Sequence, residues 1–579
     1  MNQFIVRHNE TKEYIYPTSR NSVVIKLECL VDKELIINLV YWKRFNQNKS
    51  KKVTLKNFNF SGFSHFYQVE LDFSESVRYL NYYFEIIDQD EVFYYTPYGI
   101  SQENTNRFFE YQSTNENDIF KTPSWAKGIT GYHIFPDRFH RGNVHLDRKN
   151  IEDWDNKPSR INFFGGDIRG IINKIDYLKT FGIDAIFLTP IFTSSSNHKY
   201  DTIDYFEIDP AFGSIEDLKE LVSKAHQVNI KIVLDGVFNH IGFYSKQFQD
   251  VIEKGKNSPY WNWFYIKGDT VDVENMNFEC VGDYKLMPKL RYSSKELRLY
   301  ILNVGTYWIK EANIDGWRLD VADEIDYTFW QEFRKSIKSV KPDALLIGET
   351  WHDARDLIRG DQLDSIMNYR FREYVLDYFI RQKLDKESFK FKIEELMFQY
   401  PVQTKDILYN LLGSHDTPRL LTIANHEIDL LKMVVAFQMT YPGMPIIYYG
   451  DEIGIEGNTD PDCRATMKWE KQNKEIFSFY QQMIQMRSTQ KGLKYGDFKH
   501  FDIEDDVYGF VRTFEDESIV VLFNNGTQGK NVNFDISIFN QQVVDAGKGY
   551  KVKFHISENT FRIIKVIEKD NEMKFEILA

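Results

Sequence analysis

The stretch Asp315-Gly-Trp-Arg-Leu-Asp320-Val-Ala-Asp-Glu324 reads as a short apolar strand that ends on a carboxylate. Arg318 stands two residues before Asp320, so in an extended chain both side chains point the same way. A permanent cation beside a carboxylate favours its ionised form, as an attacking nucleophile requires. Two other runs have the same shape: Asp343-Ala-Leu-Leu-Ile-Gly348 leads into Glu349, and Leu411-Leu-Gly-Ser-His415 leads into Asp416. The spacing predicts that the chain brings Asp320, Glu349 and Asp416 together at one rim.

Around these runs the pattern is strand, helix, strand, helix. Eight short apolar runs read as buried parallel strands: Tyr132–Phe135, Ala185–Leu188, Lys231–Leu234, Gly316–Leu319, Leu345–Gly348, Ser365–Met367, Ile407–Leu412 and Pro445–Tyr449. Between them, Ile168, Ile171, Ile172, Ile175 and Leu178 share one helical face, which predicts a helix over Gly170 to Leu178. Ser214, with Asp217 three residues on, is a candidate cap for the next helix, whose stripe is Leu218, Leu221, Val222 and Ala225. This repeat predicts an α/β chain whose centre is a (β/α)8 barrel. The candidate residues follow strands three, four, five and seven, the C-terminal face where such barrels place active sites.

One connection, 241–297, is too long for a simple loop and is expected to form a small inserted subdomain. Its run Tyr260-Trp-Asn-Trp-Phe-Tyr265 is either a wall over the cleft or the insert's own core, with the core favoured for most of the rings. Before the barrel, Val23, Ile25, Leu27 and Cys29 alternate with polar residues, as do Leu80, Tyr82, Phe84 and Ile86. That predicts a β-sandwich over 1–122, with Thr122-Pro-Ser-Trp125 as the linker. The barrel domain is expected over 123–494 and a second β-sandwich over 495–579, with a frayed charged end.

The net charge of −13 and pI near 5.6 exclude nucleic acid and anionic membrane as default partners. Cys29, Cys280 and Cys463 are too few and too scattered for a disulfide framework or a cysteine metal site. The N-terminus lacks a secretory pattern, and no apolar run nears the ~20 residues needed to span a bilayer. The expectation is a soluble cytoplasmic protein.

Lys231-Ile-Val-Leu-Asp235-Gly-Val-Phe-Asn239-His240 is a fourth strand ending in polar groups. With the Asp320, Glu349 and Asp416 runs it completes four motifs in a fixed order, and at this point the sequence resembles the α-amylase superfamily of glycoside hydrolases. The closer resemblance is to the cyclomaltodextrinase, neopullulanase and maltogenic amylase group. It is carried by His198-Lys-Tyr200-Asp-Thr, Met287-Pro-Lys-Leu290, Met367-Asn-Tyr369 and Asp460-Pro-Asp-Cys-Arg464, and by the N-terminal sandwich. It covers nearly the whole chain and is weakest over the last 80 or so residues.

The resemblance implies that Asp320 is the nucleophile, Glu349 the acid/base kept protonated at rest by its anionic neighbours, and Asp416 the stabiliser of a distorted sugar. These are the parts of a retaining double displacement, which sets two carboxyl groups about 5 Å apart. It further implies that His240 and His415 donate to sugar hydroxyls, Arg318 orients Asp320, and Tyr200 stacks on the same sugar. Arg464 would donate at the non-reducing side, Trp351 would meet the leaving sugars, and Asp235 and Asn239 would brace the site. Glu324 matches a position tied to transfer onto sugar acceptors, and Asp323 replaces the usual Asn beside it.

The implied activity is hydrolysis of α-1,4-glucosidic bonds in cyclodextrins, maltooligosaccharides or pullulan, with transglycosylation open. The alternatives are an α-1,6-active oligosaccharidase and a non-catalytic glucan-binding protein. The implied assembly is a homodimer through the N-terminal sandwich, and no cofactor is required. The segment Arg141-Gly-Asn143-Val-His-Leu-Asp147 with Gly165-Gly-Asp167 resembles a calcium site of parts of the group, with Asn143, Asp147, Gly165 and Asp167 as candidate ligands. Arg141 stands where an oxygen ligand would be expected, so its guanidinium is an alternative occupant.

Overall fold

Eight short apolar runs, each ending on polar residues, close into the parallel barrel. They are β1 (Gly131–Ile134), β2 (Ala185–Leu188), β3 (Lys231–Gly236), β4 (Gly316–Leu319), β5 (Leu345–Gly348), β6 (Ser365–Ile366), β7 (Tyr409–Leu411) and β8 (Met444–Tyr448). The sheet runs continuously from β6 through β5, β4, β3, β2, β1 and β8 to β7. A parallel bridge between Met367 and Tyr409 closes the ring. The computed structural model describes residues 5–31, 33–61, 64–501, 503, 507–535, 551–569 and 572–579.

The barrel interior is filled by side chains such as Phe187, Val233, Ile347, Leu411 and Ile446. At its N-terminal mouth, Trp125, Ala126 and Ile129 pack against this cluster. The expected linker is therefore also a plug, and the Trp125 indole donates to the Asp343 carbonyl at 2.8 Å.

Three strand pairs are stitched at this same end. Asp184, Asp315 and Asp364 precede β2, β4 and β6, and each accepts from the backbone N–H that opens the neighbouring strand. The donors are Thr130 at 2.9 Å, Ile232 at 2.9 Å and Leu346 at 3.0 Å. Each aspartate's own N–H returns a bond to the same residue's carbonyl.

The Ser214 cap forms as expected, with a reciprocal bond from Asp217. The helix expected over Gly170 to Leu178 is instead two, Ile168–Asn173 and Ile175–Phe181. The break at Lys174 lets both segments lay their isoleucines into the core while the Lys174 ammonium covers the Trp469 ring at 3.9 Å.

The N-terminal sandwich faces Ser22–Leu30 and Ser64–Asp72 against Ile36–Lys43 and Arg78–Asp88, around a core that includes Val23, Leu27, Leu39 and Phe84. It is tied to the barrel by Lys26, whose buried ammonium donates to the carbonyls of Phe398 at 2.6 Å and Tyr400 at 3.0 Å. Burial lowers that group's pKa to about 7. The C-terminal domain is a five-stranded sheet with a separate two-stranded pair. Its last strand, Glu572–Ile577, pairs with Thr560–Lys569, so the charged end is not frayed.

Candidate active site

The loops after β3, β4, β5 and β7 converge on the Arg318 guanidinium. Arg318 and Asp235 are register partners on β4 and β3. Its Nη1 donates to both Asp235 oxygens, at 2.9 and 2.8 Å, and to Asp320 Oδ1 at 2.8 Å. Its Nη2 lies 2.7 Å from Glu349 Oε2, an ion contact rather than an aligned hydrogen bond. Asp320 and Glu349 thus meet the two terminal nitrogens of one guanidinium, a close pairing of the kind that double displacement uses.

One cation faces three buried carboxyl groups, so its charge is divided among them. Burial pushes Asp320 well above the usual carboxylate range; Arg318 pulls it down, while Glu349 and Asp235 push it further up. Asp416 behaves oppositely. Burial opposes its ionisation, but His415 at 2.9 Å, Arg464 at 3.0 Å and the field of Arg318 hold it well below the usual range.

The residues around the carboxyl groups are locked by their neighbours. The Tyr200 hydroxyl donates to Asp235 at 3.0 Å, and its ring stacks on His415 with centroids 5.2 Å apart. His240 Nε2 donates to the Tyr200 carbonyl at 3.0 Å, and burial outweighs that bond to lower its pKa to about 4, so the ring is neutral. Its Nδ1 has no partner among the described residues, and as the unprotonated nitrogen it accepts rather than donates. That changes the role expected for His240 from donor to acceptor. Val321, directly after Asp320, has φ 45° and ψ 50°, a left-handed conformation costly for a β-branched residue. This turn aims the Val321 N–H at Glu349 Oε2, 3.3 Å away, and the Ala322 N–H at the Glu349 carbonyl, 3.0 Å away.

A cavity of about 790 Å3 opens above these groups, lined by Tyr200, His240, Asp320, His415, Asp416 and Arg464. Its far wall is Met276 and Val281 to Met287 of the insert. The aromatic run Tyr260 to Tyr265 does not form that wall; Trp263 and Phe264 are buried in the main core. Trp351 is not among the cavity's lining residues. It is 47% exposed and stacked on Tyr369, centroids 3.9 Å apart. Glu324 lies to one side, held by Asn239 at 3.2 Å and Lys289 at 2.6 Å.

These features have counterparts in known proteins. The model of the alpha amylase catalytic domain matches residues 133–475, and that of the alpha amylase N-terminal ig-like domain matches residues 1–115. The chain belongs to the alpha-amylase family. It is 42% identical over 532 residues to a cyclomaltodextrinase of Thermoanaerobacter pseudethanolicus, covering 90% of this chain and 92% of that one. It is 39% identical to neopullulanase 2 of Thermoactinomyces vulgaris, covering 91% of each. A solved cyclomaltodextrinase structure superposes with a TM-score of 0.89 at 34% identity, covering 96% of this chain and 98% of that one.

One residue of this alpha-amylase family member lay beyond the sequence reading. Arg160, from the loop after β1, pairs across the cleft with Asp460 at 3.2 Å, and Asp460 pairs with Arg464 at 3.0 Å. Asp460 stood in a quoted motif; nothing in the sequence near Arg160 marks it. The loop suggestive of calcium is built around a different cation. Arg141 Nε donates to Asp147 Oδ1 at 3.1 Å, and its Nη2 bonds the other oxygen. Asp167 accepts from three backbone N–H groups, those of Gly142, Asn143 and Gly170, and caps the helix Ile168–Asn173. Asn143 accepts from His145 N. A guanidinium paired to one candidate ligand and N–H donors filling another are the wrong chemistry for a cation shell.

Proposed function

We propose that this chain is a retaining hydrolase of α-1,4-glucosidic bonds in cyclodextrins, maltooligosaccharides or pullulan. The observation that carries the reading is the Arg318 guanidinium bridging Asp320, Glu349 and Asp235 at the floor of the cleft. Asp320 attacks the anomeric carbon as the glycosidic C–O bond breaks, and the leaving oxygen takes its proton from Glu349. Glu349 then removes a proton from water, which attacks the glycosyl ester and frees Asp320. This sequence requires that Glu349 carry a proton and Asp320 none when the sugar binds. Asp416, fixed by His415 and Arg464, holds a hydroxyl pair of the same sugar, and Tyr200 and His240 complete its walls. Glu324 and Trp351 lie outward of this ring, where a leaving or accepting sugar would pass.

The test is comparative hydrolysis of β-cyclodextrin, pullulan, panose and soluble starch, with the anomer of the first product read by NMR. An α-anomer from β-cyclodextrin supports the proposal; a β-anomer, or no hydrolysis of any of the four, overturns it.

The sandwich exposes Ile36, Phe45 and Tyr98, which supports a homodimer through this domain. Light scattering showing only monomer at micromolar concentration would refute that assembly. Among the described residues no helix is long and apolar enough to cross a membrane. The unpaired Cys29, Cys280 and Cys463 suit a reducing compartment, so the cytoplasm is the proposed location. No metal is part of the proposal, since Arg141 fills the place of one. Excess chelator should move the melting temperature by less than about 1 °C, whereas a bound structural ion would give a shift of several degrees.

A further inference from the structure

A crevice of about 490 Å3 separates the N-terminal sandwich from the barrel. Asn9 and Thr11 line it on one side; Tyr327, Gln331, Gln362 and Gln399 line it on the other. Tyr327 and Gln331 are four residues apart on the helix Tyr327–Val340, so they present one face together. Gln362 is 2% exposed, and its Nε2 donates to the Asp356 carbonyl at 2.9 Å. Its Oε1 has no hydrogen-bond partner among the described residues, nor has Asp361 Oδ1, although Asp361 Oδ2 accepts from Gln331. Buried acceptors without donors are costly, and a hydroxyl-bearing ligand would satisfy them.

Of the charged lining residues, Arg355 pairs with Glu13 at 2.8 Å and Arg359 with Asp356, and Lys12 and Asp361 are of opposite sign, so cations and anions balance. The crevice thus has carboxamides, hydroxyls and an aromatic ring without a surplus charge to draw in a phosphate. That is the chemistry of a neutral polyhydroxyl ligand. Tyr327, 44% exposed, also borders a neighbouring cavity of about 670 Å3 that contains Glu324. Seven residues separate Asp320 from Tyr327, so the two lie at most about 25 Å apart. The crevice is therefore within reach of a glucan of several units whose scissile bond sits at Asp320.

We infer that the crevice between the N-terminal sandwich and the barrel is a second α-glucan site, which holds the outer part of long substrates beyond Glu324. The inference rests on the glycosidase reading above. Tyr327 and Gln331 are surface residues, so Tyr327→Ala with Gln331→Ala should fold. The experiment is calorimetric titration of maltoheptaose into the full-length Glu349→Gln protein with and without this double substitution, alongside steady-state kinetics of the double variant in the otherwise native chain.

Two binding events are expected in Glu349→Gln and one after the double substitution. In the kinetic arm, KM for maltoheptaose should rise at least threefold, while kcat and KM for maltotriose stay within twofold. One binding event that the double substitution leaves unchanged overturns the second site alone. No binding to either protein overturns the second site and the glycosidase reading together. Equal rises in KM for both substrates also overturn the second site, since they would place the two residues in the cleft itself.

Discussion

Asp315 and Asp320 flank the same four-residue strand, and their surroundings are opposite. At the closed mouth of the barrel, Asp315 accepts from the Ile232 N–H and is met by His226 at 2.7 Å, Lys341 at 2.9 Å and Lys231 at 3.2 Å. Burial opposes its ionisation, but these donors bring its pKa down to about 2. At the open mouth, Asp320 has one cationic donor, which it shares with Asp235 and Glu349, and its pKa goes up. Both carboxyl groups are buried. Burial pushes both up; the donors around Asp315 outweigh it, and the single shared donor at Asp320 does not. One end of the strand is built for stability and the other for reactivity.

The strongest way to break this contrast is Asp320→Asn. It should cut kcat on β-cyclodextrin roughly a thousandfold or more. It should also raise the melting temperature, because a carboxyl whose folded pKa is raised opposes folding at neutral pH. Lost activity with a lowered melting temperature would refute the assignment of Asp320 as the electrostatically costly end.

Asp315→Asn should do the reverse: kcat within about twofold of the native enzyme, and a loss of about 2–3 kcal/mol in stability, discounted from a fully buried pair because the lysines are partly exposed. The pH dependence follows from the sign. A depressed folded pKa contributes stability that is complete above the ordinary value of 3.8 and is lost as pH falls through about 2. The gap between native and variant melting temperatures should therefore narrow from about pH 4 downward. A gap that is constant with pH would show that packing, not charge, sets the effect.

Val321→Gly tests the smallest difference. Glycine adopts the left-handed conformation freely, so stability should rise by about 1 kcal/mol while the backbone around Glu349 loosens. A fall of about tenfold in kcat with KM little changed is the expected companion. Unchanged kcat would mean the strained turn has no part in positioning the acid/base.

The sequence made the barrel legible because the strands are short apolar runs set between helical patterns, and four of them run on into polar residues. The carboxylates could be found for the same reason: position after a strand is a local property. What escaped depends on contacts between distant segments. How one guanidinium is divided among Asp320, Glu349 and Asp235 is not visible in any spacing. The Arg160–Asp460 pair joins loops 300 positions apart in the numbering. The Tyr260 to Tyr265 rings could line a cleft or fill a core, and only the path of the insert decides. Trp351 follows Glu349 closely, yet its ring stacks on Tyr369 instead of entering the cavity. Arg141 could be read because it is local: it stands six residues from Asp147, and its charge was enough to question a metal.

The Lys26 ammonium, seated on the carbonyls at the end of the helix Lys386–Gln399, has a consequence for anyone who would rearrange this protein. Excising the first domain would strip the cover from Phe398 and leave two main-chain oxygens without their donor. A graft of that domain onto another scaffold would carry an ammonium with nowhere to dock. The two parts are better exchanged as a matched set, with Lys26 and the Phe398–Tyr400 turn moved together.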